Sequence, residues 1–246
     1  MAVNFGPSAE DYALHRAGFP HSFFERVRLE APLLDLGAGT GTLARGFAAR
    51  GLATVALDLS AEMLRQAADL PRRVVARAEA VPLRSGAFGA VVAGTCWHWF
   101  DGAAAAAEAW RLLRPGGRLV LAFFVYLARE GNVAEATEAL VLRHNPAWPF
   151  AGSTGRYDFF RPVLEQAGFE ALESFWYDED VLYSHEGWRG RNRACNGIIA
   201  LAEPAKVAAF DRDLATLLTG WPEPLRVPHR VFVLSGTKPA APANRG

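Results

Sequence analysis

Leu33-Leu34-Asp35-Leu36-Gly37-Ala38-Gly39-Thr40-Gly41-Thr42 decides the fold of this 246-residue chain. An apolar strand runs into an acid and then into three glycines at alternate positions. A helix pattern follows, with Leu43, Phe47 and Ala48 on one face and Gly51 as its stop. Glycines at a strand-to-helix turn let the backbone bend sharply and let a ligand approach the main chain with no Cβ in the way. Downstream, the strand Ala53-Thr54-Val55-Ala56-Leu57 ends in Asp58, placed to accept hydrogen bonds from ribose hydroxyls. Together these features describe a nucleoside-binding crevice at the carboxyl ends of parallel strands.

The glycine spacing narrows the nucleoside. In the dinucleotide fingerprint G-x-G-x-x-G the third glycine packs the helix on the sheet. Here it arrives one residue early, at Gly41, and Thr42 stands where the fingerprint has Gly. No Gly-Lys-Ser or Gly-Lys-Thr follows, which excludes a phosphate-binding P-loop. Leu33 to Gly41 instead resembles the first motif of class I S-adenosylmethionine (SAM) dependent methyltransferases, an acid followed by x-G-x-G-x-G. The resemblance implies that Asp35, Gly37, Ala38, Gly39 and Gly41 build the loop around the methionine part of SAM, and that Asp58 binds the ribose.

Four more stretches match that family in order. Asp58-Leu59-Ser60-Ala61-Glu62-Met63-Leu64 resembles its second-strand motif, with Leu59 and Met63 flanking the adenine. Ala78-Glu79-Ala80-Val81-Pro82-Leu83 resembles the loop whose backbone meets the adenine edge. Phe88-Gly89-Ala90-Val91-Val92-Ala93-Gly94 resembles the fourth strand, ending beside the methyl group, and Thr95 directly after it joins the cofactor-binding set. Leu113-Arg114-Pro115-Gly116-Gly117-Arg118-Leu119-Val120-Leu121 resembles the turn into strand five. One position departs: where the family carries a small polar acceptor before the Ala-Glu pair, this chain has Arg77, which cannot accept a hydrogen bond. Adenine recognition then rests on the backbone around Ala78 or on Glu79.

The resemblance implies an α/β fold: a Rossmann-like, seven-stranded, mostly parallel sheet with an antiparallel last strand, helices on both faces and a small helical cap. The residue pattern divides the chain into three parts, which the resemblance implies are an N-terminal helical lid (1–30), a SAM-binding core (31–124) and an acceptor-binding cap that also completes the sheet (125–246) of a single methyltransferase domain over 1–246. Strands are expected near 32–36, 53–58, 72–77, 88–94 and 117–124, alternating with helices, which means a parallel sheet covered on both faces. Helices are expected near 131–143, 158–167, 187–201 and 204–219, late strands near 171–182 and 228–237, and Ser8 and Ser22 are candidate N-caps of the lead-in helices.

Composition excludes other classes. The chain is 51% apolar and 21% charged, enough for a large core. Its formal net charge is zero and it has no long basic run, which argues against nucleic acid as a partner. Only Lys206 and Lys238 are lysines, so almost all positive charge is arginine. Met1 to Pro7 lacks a charged n-region and an apolar h-region, so no secretory signal is expected. No apolar run approaches the ~18 residues of a membrane span. Cys96 and Cys195 have no metal-ligand spacing, and no metal site is expected. The expectation is a cytoplasmic enzyme, monomeric or homodimeric.

Three stretches carry the remaining chemistry. Asp11-Tyr12-Ala13-Leu14-His15-Arg16 resembles a segment of the trans-aconitate methyltransferase-like branch, close to the ubiquinone and menaquinone methyltransferases. Tyr12 and Arg16 share a helix face at i,i+4, and the branch implies that the arginine meets the SAM carboxylate. The plain alternative is a solvated surface arginine. Trp97-His98-Trp99-Phe100-Asp101 follows strand four, where donor faces acceptor. A histidine among aromatic rings can act as a general base near neutral pH. Trp97, His98 and Trp99 therefore stand as acceptor-binding candidates and His98 as the catalytic one, against the reading that the rings only pack the next helix. Tyr183 to Asn196 is dense in polar and aromatic residues. The resemblance to that branch implies that the helix here closes over the acceptor, which makes Trp188, Arg189 and Asn192 acceptor-binding candidates, with Arg191 as a further one for an anionic or carbonyl group, against a solvated arginine face.

The most direct reading is SAM-dependent methyl transfer to a small-molecule acceptor, releasing S-adenosylhomocysteine. Two others use the same residues. A nicotinamide-dependent oxidoreductase of Rossmann type shares the glycine turn and Asp58 but leaves the Pro115-Gly116-Gly117 turn unexplained. A catalytically silent SAM-binding partner subunit keeps the core without a usable acceptor pocket.

Overall fold

The computed structural model describes residues 9–240, so the candidate cap Ser8 and the start Met1 to Pro7 lie outside the described residues. The chain forms two compact units. The core unit takes residues 18–124, 157–176 and the chain from 231 on; the second takes residues up to 17, 125–156 and 177–230. The expected succession of 1–30, 31–124 and 125–246 is therefore interleaved. The reason is packing: Leu164, Phe169, Phe232 and Leu234, all late in the chain, belong to the same apolar cluster as Leu34, Val91 and Leu121.

In the core unit, β1 (Leu33–Leu36) lies between β2 (Thr54–Asp58) and β4 (Phe88–Gly94), and β3 (Arg73–Val75) flanks β2. All three pairings are parallel, with Leu33 opposite Thr54 and Ala90. β5 (Leu113–Tyr126) pairs with β4, also in parallel. The seven-stranded order is β3-β2-β1-β4-β5-β7-β6, with β6 at Glu170–Tyr183 and β7 at Leu225–Thr237. β7 runs antiparallel to β5: Gly116 and Gly117 near the start of β5 bond Lys238 past the end of β7, and Leu127 after β5 bonds Pro228. The direction of the chain's excursions reverses between β1 and β4, which leaves a crevice at their carboxyl ends. β5 begins four residues before the expected 117, because Leu113 pairs with Phe88 before a register shift.

Alternation along β1 sorts its side chains between two faces. Leu34 and Leu36 join the cluster under α5 (Gly102–Leu112) and α7 (Arg161–Gln166). Asp35 faces α3 (Thr42–Ala48), where its Oδ2 accepts the Ala44 N–H at 2.9 Å. An acid buried in the strand thus satisfies an orphan donor of the helix that follows it. Asp35 is 1% exposed. Burial pushes its carboxyl up to about 7, the Ala44 N–H pulls it down, and the Asp58 carboxylate adds repulsion.

The lead-in helix α2 (His21–Arg26) starts after Pro20 in extended conformation, so Ser22 lies inside the helix and does not cap it. Phe23 and Phe24 of α2 meet Phe47 of α3 edge-on. The two helices approach closely at Gly46, where a Cβ would stand 2.1 Å from the Phe24 ring.

In the second unit, α1 (Ala9–His15), α6 (Val133–His144), α8 (His185–Arg193), α9 (Asn196–Ile199) and α10 (Pro204–Leu218) surround a core that includes Trp188, Phe210, Leu214 and Val227. One helix over 187–201 was expected, but the structure has two, separated at Cys195, whose backbone is extended. Tertiary contacts make the break: Asn145 Nδ2 donates to the Gly197 carbonyl at 2.7 Å and Trp148 Nε1 to Asn196 Oδ1 at 2.9 Å.

Gly46→Ala is expected to lower the unfolding free energy by about 1–3 kcal/mol through overpacking against Phe24, although alanine is the better helix former; urea denaturation measures it, and a more stable variant would contradict it. Asp35 predicts a pH effect. The folded protein keeps that proton up to about pH 7, whereas the unfolded chain loses it near the ordinary 3.8. Folding takes up a proton in this window, so Asp35 lowers stability as pH rises through it. Asp35→Asn keeps an acceptor for Ala44 and removes the titration. Its urea midpoint should fall less than that of the wild type between about pH 4 and 7.

Candidate active site

The three glycines of the β1–α3 turn all have left-handed φ, at 72°, 55° and 82°, but they are needed for different reasons. A Cβ on Gly37 would stand 2.8 Å from Cys96 Sγ and from Phe100 Cζ, and one on Gly41 would stand 2.9 Å from Ala67 and Leu70. Gly39 is the open one, since its Cβ would meet only Met63 Cε, at 3.3 Å. The turn is pinned to the end of β2. Gly37 and Ala38 both donate to the Leu57 carbonyl at 2.8 Å. Gly39 donates to Asp58 Oδ2 and Ser60 to Asp58 Oδ1, each at 2.8 Å. Burial raises the Asp58 carboxyl above its ordinary range, against the pull of these N–H donors. A carboxylate has about four lone-pair positions, so Asp58 keeps acceptor capacity for a diol.

Next to Asp58, Leu59 is 65% exposed while Met63 is buried. A bare leucine beside a pinned carboxylate offers a flat ring an apolar surface. Ala78 is buried, and Glu79 Oε1 accepts the Asp101 N–H at 3.0 Å. Arg77, the departure from the family pattern, lies 3.3 Å from Glu79 and pairs with it. The loop after β3 is clamped from α5. Val81 donates to Glu108 at 2.7 Å, and Arg111 donates to the carbonyls of Val81 and Leu83 at 2.9 Å. Sequence reasoning missed this clamp; its one local sign was the i,i+3 pairing of Glu108 with Arg111.

Past β4, Thr95 has φ 54°, a conformation that costs a β-branched residue about 1–2 kcal/mol. It is held by its N–H on the Ala122 carbonyl at 2.7 Å and by its hydroxyl accepting from Phe124 N–H at 3.2 Å. Cys96 then donates from Sγ to the Leu36 carbonyl at 3.2 Å, and Trp97–Trp99 forms one 3-10 turn. Cys96 and Phe100 thus pack directly on Gly37. Trp97 is fully buried in the core beneath α5 and is not available to an acceptor. His98 and Trp99 are partly exposed, with ring centroids 4.6 Å apart. Behind them Phe123 stacks on Tyr157 at 3.7 Å and lies 6.2 Å from His98. Tyr157 was not singled out in the sequence, where it follows a glycine-containing loop with no periodic signal.

The remaining candidates lie in the second unit. Arg16 sits over the Tyr12 ring at 4.8 Å, so the i,i+4 pair does meet. Trp188 and Asn192 are fully buried; the indole donates to Thr137 Oγ1 at 2.9 Å and Asn192 Nδ2 to the Trp188 carbonyl at 2.7 Å. Asn192 presents no surface to a ligand, and Trp188 only a ring face toward Arg191. Arg189 is held by Asp211 and Glu186, and Arg193 by Asp11, Asp211 and Glu186. These two arginines tie α8 to α1 and α10.

Residues 34–121 match the family described as a methyltransferase domain. An uncharacterized methyltransferase of Mycobacterium tuberculosis is 39% identical over 145 residues, 57% of this chain and 60% of the relative. A malonyl-[acyl-carrier protein] O-methyltransferase of Geobacter sulfurreducens is 36% identical over 169 residues, 63% of this chain and 61% of the relative. The aligned part thus spans about three fifths of these relatives' length. Among solved structures, Haemonchus contortus phosphoethanolamine N-methyltransferase 2 has a TM-score of 0.54 at 17% identity, covering 95% of this chain and 57% of that one. The [4+2]-cyclase SpnF has a TM-score of 0.55 at 21% identity, covering 92% and 84%. At such identities the likeness establishes the fold alone. Residues 34–121, which build the parallel part of this seven-stranded sheet, thus match a methyltransferase domain.

Proposed function

We propose that this protein binds SAM in the crevice above β1 and β2 and transfers its methyl group to a small-molecule acceptor. The observation that carries the reading is the pinned turn. Gly39 leaves its backbone uncovered, and the adjacent Asp58 keeps acceptor capacity for a ribose diol. Leu59 and Met63 would take the faces of the adenine, Ala78 and Glu79 its edge, and Gly37 to Gly41 the methionine part. Glu79 already accepts from Asp101 and pairs with Arg77, so the Ala78 backbone is the better partner for the adenine edge.

When bound, SAM supplies an electrophilic methyl group on a sulfonium. The chain's part is to hold an acceptor atom in line with it, near ~3 Å, without competing water. Cys96 and Phe100, packed on Gly37, fix the segment that carries His98 against the donor loop. His98 and Trp99 then border the acceptor, and His98 takes the proton of an acceptor that carries one. The malonyl-[acyl-carrier protein] O-methyltransferases among the relatives favour an oxygen nucleophile.

Asp58→Ala is expected to weaken S-adenosylhomocysteine binding by about 10–100-fold, as loss of charge-assisted hydrogen bonds of about 1.5–3 kcal/mol requires. Calorimetric titration of the wild type with S-adenosylhomocysteine and, separately, NAD tests the cofactor; tighter binding of NAD would sink the reading. Once an acceptor is found with labelled SAM and a panel of acids, phenols and amines, His98→Ala should lower kcat by about 100-fold and flatten the acid limb of the pH profile. A raised KM with an unchanged profile would reduce His98 to a wall of the pocket.

A further inference from the structure

Three arginines stand at alternate positions of α8, and their surroundings differ. Arg189 and Arg193 are held by Asp11, Glu186 and Asp211. Arg191, between them in sequence, points into the second unit and is 8% exposed. Its guanidinium lies 4.2 Å from the Tyr126 ring centroid and 5.4 Å from that of Trp188. Its hydrogen bonds go to neutral groups, Asn192 Oδ1 at 3.4 Å and the Tyr183 hydroxyl.

The proton positions around Tyr183 follow from one carbonyl. His229 Nδ1 lies 2.9 Å from the Val227 carbonyl, which only accepts, so Nδ1 carries a proton. Burial pushes the His229 imidazole down to about 3, so the ring is neutral and Nε2 is an acceptor. The Tyr183 hydroxyl, 3.2 Å from Nε2, therefore donates to it and accepts from Arg191. This chain of bonds holds Arg191 through neutral groups. A second guanidinium, Arg16, acts on the same Tyr183 and His229. The buried carboxyl facing Arg191 is Glu138, whose oxygens already accept the Gly152 N–H at 2.7 Å and the Tyr126 hydroxyl. Among the described residues, Arg191 thus faces one carboxyl that other donors already engage. A buried cation so placed is stabilised by an anion that brings its own lone pairs.

We infer that Arg191, caged by Tyr126, Trp188 and Tyr183, is a binding site for the carboxylate of a small organic acid. The anion site stands independently of the proposed methyl transfer. The second source of the same chemistry is the amino-acid carboxylate of the cofactor.

The test uses benzoate as probe and benzamide as its neutral counterpart, followed through the 15N-labelled indole resonance of Trp188, assigned with Trp188→Phe. Benzoate is expected to shift this resonance saturably in the millimolar range, and benzamide at least tenfold more weakly. Arg191→Gln should weaken benzoate at least tenfold, whereas Arg189→Gln should leave it unchanged. Equal binding of benzoate and benzamide by the wild type, or no saturable shift with benzoate, overturns the inference, and this arm decides the matter even if Arg191→Gln does not fold. Should S-adenosylhomocysteine displace benzoate and itself lose affinity in Arg191→Gln, the carboxylate is the cofactor's and the inference of a separate organic acid fails. Benzoate binding in a protein that does not bind S-adenosylhomocysteine would keep the anion site and remove the methyl-transfer reading.

Discussion

Two carboxyl groups, Asp35 buried and Asp58 half-buried, hold the backbone on which the rest of the site depends. Asp35 takes the Ala44 N–H at the start of α3, and Asp58 takes the N–H groups of Gly39 and Ser60. A run of three left-handed glycines has a large conformational entropy to lose on folding. Pinned at both ends by charge-capable acceptors, it becomes one rigid surface. The two acids repel each other, and burial raises both. The arrangement therefore lowers stability near neutral pH in exchange for a preorganised turn, a common feature of functional sites.

The same turn joins segments distant in sequence. Gly37 has no Cβ because Cys96 and Phe100 occupy that space, and Gly41 has none because Ala67 and Leu70 do. The donor loop, the segment bearing His98 and the helix after Asp58 are thereby locked together by contacts with a glycine backbone. Cys96 adds a hydrogen bond to the Leu36 carbonyl, and burial pushes its thiol well above the ordinary range, so it serves as packing and not as a nucleophile.

Where the sequence was legible, the signal was local. Period and apolar runs located β1, β2 and β4, and the glycine spacing with Asp58 located the turn. Where it was not, a long-range contact decided. Trp97, His98 and Trp99 form one aromatic run, yet Trp97 is sealed in the core while its neighbours remain partly exposed, because a single 3-10 turn sends successive rings in different directions. In the sequence Trp188, Arg189, Arg191 and Asn192 stand together as candidates for one role. Only the acids on α1 and α10 distinguish an arginine that ties helices from one caged by rings.

The sequence by itself determined the sheet, its glycine turn and the acid at the end of β2, because each depends on residues within a few positions of one another. The tertiary structure alone decided the interleaving of the two units, the break between α8 and α9, the clamp of Glu108 and Arg111 on the loop after β3, and which arginine is caged by aromatic rings. Those outcomes follow from packing and charge pairing between segments tens of residues apart, for which no periodicity in the chain is a record.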